Sequence, residues 1–408
     1  MFKLQKSTIF VLKCLFVLFA LSIVFYGVME FAFPQFMQKP VLLDFDAFHL
    51  TGKMISEGKL ADAYNSEMFK LQQHHLPGAG EGVLYWSYPP PYNLLAAALG
   101  SLPIWLSYAL FISVSLGLYV TVARALAGRD FFLAIIPLIT IFPLIIRSGQ
   151  NGFLTGALIG LTCLLILRKS SFAGVPLGMM VLKPHLAVGV AAWSLLNRKW
   201  RMVASAAVTV FILCLLTTAV FGFDVWFWFF SAIETTQLSL REGAFPLFRM
   251  SSVFAFGLSI GMDLQSAILL HVLGVVTAIC ALVVLLRSVA SPRVGLGASV
   301  FVSALLSPYS YDYDLAMLGI AACLLGPLFI ALASELEKSV LVAVSWMLGF
   351  YGLSISFLKS SGFLLEVDQP ISITGPGLFI IGAMVFRILY TARLQENRTN
   401  HLVGSDWV

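Results

Sequence analysis

Residues 104–123 read IWLSYALFISVSLGLYVTVA, a run of twenty with no charged side chain, ended by Arg124. At a helical rise of ~1.5 Å per residue, such a run reaches across the ~30 Å hydrocarbon core of a bilayer. Working outward, apolar runs recur at 7–33, 131–146, 152–167, 202–221, 265–286, 294–306, 315–333, 340–358 and 371–386. Several fall short of the ~20 residues that a straight span needs. Short or broken helices are tolerated in lipid only where protein or a water-filled cavity covers their ends. The pattern predicts an all-α polytopic membrane protein of about 10–12 transmembrane or re-entrant helices.

Composition points the same way. Of 408 residues, 59% are hydrophobic and 11% charged, against about a quarter charged in soluble domains. No stretch is polar for long enough to fold as a separate soluble domain, so residues 1–408 read as one integral membrane unit with a long loop at 34–91. The first run is too long for a signal-peptide core and lacks a small-x-small cleavage site, which predicts an uncleaved first span. A net charge of +5 gives no reason to expect nucleic acid. Cys14, Cys163, Cys214, Cys280 and Cys323 all sit in apolar runs without metal-ligand spacing, as packing residues do.

Basic residues orient the chain. Lys3, Lys6, Lys13, Arg124, Arg168, Lys169, Arg198, Arg287, Lys338 and Arg387 fall on one face, which the positive-inside rule makes cytoplasmic, together with both termini. The 34–91 loop, Gln150, Asp312 and the Glu366-Val367-Asp368 turn then lie outside. Lys183 fits neither loop class. It interrupts the mostly apolar 171–196 stretch as Lys183-Pro184-His185, and proline disfavours helix in the residue before it. Two half-helices meeting at a polar break are expected there. An intramembrane ammonium is a functional candidate, although it can also snorkel to the surface.

In the long loop, Asp44 opens a helical pattern of Phe45, Phe48, Gly52 and Ile55 that Gly58 closes. Asp44 is expected as the N-cap, with Asp46 complementing the helix dipole. A carboxylate held ionised just outside lipid is also suited to take a proton from a hydroxyl. Asp44-Phe45-Asp46 and Asp312-Tyr313-Asp314 both spell Asp-x-Asp, the pair that holds a nucleotide-bound metal in soluble transferases; this chain has no soluble α/β domain to host a nucleotide. Trp86-Ser87-Tyr88-Pro89-Pro90-Pro91-Tyr92 reads as an interfacial aromatic belt with a rigid turn. Gly149-Gln150-Asn151 reads as a tight polar turn between two spans.

These residues resemble glycosyltransferase family 87, of the GT-C superfamily of polytopic enzymes. The matching pieces are Asp44-Phe45-x-x-Phe48 with Gly52 and Gly58, Ala63-Tyr64, Tyr88-Pro89-Pro90, Gly149-Gln150-Asn151, Gly178 to Lys183-Pro184, and Ser307-Pro308. The resemblance implies a GT-C-like bundle that transfers a hexose or pentose from a polyprenyl-phosphate sugar to a glycolipid or glycan, outside the cytoplasmic membrane and with inversion. It implies that Asp44 is the general base. It gives Asp46, Tyr88, Gln150, Asn151, Lys183, Asp312 and Asp314 substrate-binding roles. No cofactor is expected, with a divalent metal left as an open alternative. The better-understood mannosyltransferases of the family carry histidine after the late Ser-Pro element, where this chain has Tyr311-Asp312-Tyr313-Asp314; the resemblance does not extend to mannose. The competing reading is a transporter or flippase of a lipid-linked or small polar solute, which the break at Lys183 suits best.

Overall fold

The computed structural model describes residues 24–25, 27–33, 42–79, 83–241, 243–288, 291–360 and 370–404. Most of the expected first span, Cys14 and the Glu366–Asp368 turn lie outside the described residues. Among those described, the secondary structure is helical, with a single isolated bridge between Met250 and Tyr311 and no strand. This is a multi-pass membrane protein. Six helical segments are long and apolar enough to cross a bilayer: Ile104–Ser148, Trp200–Phe221, Leu264–Arg287, Asp312–Leu332, Glu335–Ser356 and Thr374–Thr391. Four shorter apolar helical segments accompany them, at Gly152–Leu167, Ser171–Leu182, Pro184–Leu196 and Pro292–Leu306.

Two features depart from the expected segmentation. The runs at 104–123 and 131–146 belong to one helical stretch, broken into 3-10 turns at Gly128–Asp130 and Ile136–Ile141. Gly128 lies at φ +59°, and Pro137 and Pro143 each remove a helix donor, which accounts for the tightened turns. The helix Asp224–Arg241 had no counterpart among the apolar runs. Its aromatic first half is followed by Glu234, Thr235, Thr236 and Gln237, which dilute the hydropathy of any span-length window.

The chain forms two compact units. The first comprises the residues up to 117 with 142–150 and 214–237. Here the helix Asp44–Ser56 lies on Tyr92–Gly100, so close that a Cβ on Gly52 would strike the Ala96 carbonyl and the Gly100 backbone. Gly58, at φ +73°, ends the first helix as its sequence position suggests. Phe45, Phe48, Trp86, Tyr92 and Tyr108 form its buried core. The expected aromatic belt is therefore largely a packed interior: Trp86 and Tyr92 are buried, and the rings of Tyr88 and Tyr92 lie 4.3 Å apart.

The second unit holds 118–141, 151–213 and the residues from 238 onward. Gly152–Leu167, Pro292–Leu306 and Ala316–Leu332 are its core, buried along most of their length. That burial is how helices of 16 and 15 residues are accommodated in lipid. The Tyr119 hydroxyl donates to the Ala316 carbonyl at 2.8 Å, and the Ser303 hydroxyl accepts from the Gly189 amide at 2.8 Å. By contrast, only 6% of the apolar window of Trp200–Phe221 is buried, as expected of a lipid-facing helix.

Candidate functional site

Four of the proposed residues belong to the first unit. Asp44 occupies the first helical position of Asp44–Ser56 and is half-buried; the N-cap is Leu43, one residue earlier than the sequence pattern places it. Capping falls instead to Asp46, whose Oδ2 accepts the Leu43 amide at 2.7 Å. This is the backward-reaching half of a capping box, which needs its acid at the third helical position. Asp46 is 2% exposed and committed to the backbone, whereas Asp44 stands beside the positive end of the same dipole. One turn on, the buried His49 has its pKa held below the ordinary value, chiefly by burial. Its Nε2 faces the Leu102 carbonyl at 2.9 Å, which only a protonated nitrogen can satisfy.

Tyr88 and Gln150 meet directly, the Tyr88 hydroxyl donating to Gln150 Oε1 at 3.2 Å. Gln150 is held there by Gly149, which lies at φ +67° with its α-carbon against Phe45. Two independent constraints thus require glycine. Gly149→Ala is expected to cost about 2–3 kcal/mol, combining left-handed strain with overpacking. Gly117→Ala, where a Cβ meets nothing within 4 Å, is the neutral control. Thermal unfolding in detergent measures both.

The other four residues belong to the second unit. Asn151 is fully buried at the start of Gly152–Leu167, where its carbonyl accepts the Thr155 amide at 3.0 Å. The break at Lys183 is present as expected. A 3-10 turn ends at Leu182, Lys183 is extended (φ −147°, ψ 74°), and a second 3-10 turn starts at Pro184. The ammonium does not snorkel. It donates to Asp314 Oδ1 at 2.7 Å, with the two side chains 9% and 4% exposed, and lies 4.7 Å from the Tyr313 ring centroid.

Asp312 faces Arg249, whose Nε and Nη2 each donate to one of its carboxylate oxygens at 3.2 Å. The rings of Tyr311 and Tyr313 are parallel to within 4° at 5.4 Å, with the Arg249 guanidinium 6.0 and 5.7 Å from their centroids. Two cations, two carboxylates and two tyrosines therefore form one charge-balanced knot. Each carboxylate of Asp312-x-Asp314 goes to its own cation, which is not the arrangement of a metal-holding pair. No grouping of three or more His, Cys, Asp or Glu suited to a metal is found among the described residues. Sequence reasoning missed the pairing of Arg249 with Asp312, the tyrosine stack and Gly352, where a Cβ would approach Asp312 Oδ2 to 2.5 Å. The alternation Tyr-Asp-Tyr-Asp was the available signal: in an apolar chain, buried acids at spacing two need two cations.

A model of glycosyltransferase family 87 matches residues 86–308, more than half of the chain. The match takes in Tyr88, Gln150, Asn151, Lys183 and Arg249; Asp44 and Asp46 precede it, and Asp312 and Asp314 follow it. No curated protein and no solved structure matches the chain.

Proposed function

The chain belongs to glycosyltransferase family 87, and from that premise we propose that it transfers a hexose or pentose from a polyprenyl-phosphate sugar to a glycolipid or glycan on the outer face of the cytoplasmic membrane. The family match within a multi-pass helical protein carries this reading. A donor delivered through the bilayer suits a chain whose carboxylates lie at the ends of apolar segments and which has no nucleotide-binding domain.

The proposed chemistry is inverting. The acceptor oxygen attacks the anomeric carbon opposite the phosphate, a C–O bond forms as the bond to the phosphate oxygen breaks, and polyprenyl phosphate departs with the electron pair. The acceptor hydroxyl must lose its proton as it attacks, and Asp44 takes it. Support for Asp44 over Asp46 comes from the helix start: Asp46 Oδ2 is engaged by the Leu43 amide, while Asp44 is half-buried at the first helical position. Lys183 and Arg249 are the cations through which the second unit would meet a phosphate, each already neutralised by an acid.

The test is transfer by the purified protein in detergent, offered labelled polyprenyl-phosphate sugars and several acceptors. Product formation is expected and cannot arise from transport. If no donor and acceptor combination gives product, while liposomes carrying the protein move lipid-linked sugar, the flippase reading replaces this one. Orientation follows from labelling single cysteines introduced at positions 62 and 338 in a cysteine-free background. They are expected on opposite sides, outer and cytoplasmic respectively, and labelling from one side would overturn both the topology and the mechanism.

A further inference from the structure

The first unit contains a cleft of about 200 Å³ whose lining side chains carry no charge. Tyr64, Ser66, Tyr85 and Trp86 from the long loop contribute to it, and Thr235 and Thr236 from the helix Asp224–Arg241 face them. The aromatic residues are held in place. The Tyr64 hydroxyl donates to the Tyr88 carbonyl at 3.0 Å and accepts from Asn93 Nδ2 at 3.0 Å, and Trp86 Nε1 donates to Asn93 Oδ1 at 3.1 Å. Tyr64 also meets Phe229 edge to face at 6.4 Å, which sets the helix that carries the threonines. Gln73 fixes the loop segment from the other end, donating to the Leu84 carbonyl at 2.7 Å and accepting the Leu84 amide at 2.8 Å.

The threonines have a defined polarity. Thr235 donates its hydroxyl hydrogen to the Ser231 carbonyl at 3.1 Å, and Thr236 donates to the Ala232 carbonyl at 2.8 Å. With each hydrogen committed to the helix, the oxygens remain as acceptors. Rigid aromatic side chains opposite hydroxyl oxygens, without a charge, do not suit a phosphate. They suit a ligand with apolar C–H faces and several O–H donors, which describes a neutral sugar ring. The volume lies below the ~300–1,000 Å³ of pockets for drug-sized ligands and limits the occupant to about one ring.

We propose that this cleft binds one neutral sugar of the acceptor glycan, with Thr235 and Thr236 accepting hydrogen bonds from its hydroxyls. The proposal rests on the glycosyltransferase reading and names the subsite for its acceptor. The test compares the full-length protein with Thr235→Val/Thr236→Val, which keeps side-chain shape and removes both oxygens, and with Ala232→Leu, which fills the cleft. Saturation-transfer NMR reads binding of methyl hexosides and methyl pentosides in detergent, and transfer assays give KM for acceptor and donor separately. At least one glycoside is expected to bind the wild type and to bind the double variant about tenfold more weakly, the loss of two ordinary hydrogen bonds. Acceptor KM is expected to rise by a similar factor while donor KM holds. Glycoside binding and acceptor KM unchanged in both variants would overturn the subsite, as would a donor KM that rises equally. If the wild type transfers no sugar, yet glycoside binding still depends on the threonines, the subsite stands and the glycosyltransferase reading fails.

Discussion

Asp44→Asn is expected to fold, to bind donor with unchanged affinity and to lose a factor of ~10²–10⁴ in turnover, the usual contribution of a positioned general base. The substitution is nearly isosteric and leaves a side-chain oxygen at the first helical position, so the helix start persists. It cannot accept a proton. Asp46→Asn is the matched control two residues away. Its amide oxygen can still accept the Leu43 amide that Asp46 Oδ2 now holds at 2.7 Å, and only the charge at the helix dipole is lost. That charge contributes ~0.3–1 kcal/mol to stability, so the Asp46 variant should be slightly less stable and partly active. Single-turnover rates with saturating donor, set beside donor affinity for each variant, separate the two roles. If Asp44→Asn turns over near the wild-type rate, the base lies elsewhere.

The contrast between these two acids shows where sequence reasoning stopped. Membrane spans were legible because lipid demands long apolar helices, and Trp200–Phe221, Leu264–Ser288 and Ala316–Leu332 lie close to the runs that predict them. The end of Asp44–Ser56 was legible because Gly58 adopts a backbone that other residues avoid. Its start was misplaced by one residue. Asp at the first helical position and Asp at the N-cap give the same apolar periodicity, and only the Asp46 to Leu43 bond distinguishes them. The break at Lys183 was legible from Pro184, but its partner, 131 residues away, was not. Apolar periodicity reports the face a helix buries; it carries no information on which distant acid answers a buried cation. The cleft beside Thr235 was invisible for a related reason, because its helix is too polar in its second half to register as a span.

That distant pairing makes the second large prediction. Lys183→Met keeps the side-chain length and removes the charge, leaving Asp314, 4% exposed, without the ammonium that now bonds it at 2.7 Å. Removing one partner of a buried ion pair typically costs ~3–5 kcal/mol, because the remaining charge is left uncompensated. Lys183→Met is therefore expected to be markedly less stable to heat in detergent than the wild type. Adding Asp314→Asn should recover most of the loss, since no buried charge then lacks a partner. The cycle of two single variants and the double variant isolates the coupling, provided neither replacement makes new contacts. The double variant also separates structure from binding. Recovered stability with wild-type donor KM would mean that the pair only pins the helix break to the turn Asp312–Leu315. Recovered stability with a raised donor KM would give Lys183 a part in holding the donor's phosphate, because packing has been restored and only the charge is missing. If Lys183→Met alone unfolds at the wild-type temperature, the ammonium is not compensating Asp314, and Arg249, 20% exposed beside Asp312, becomes the cation to replace next.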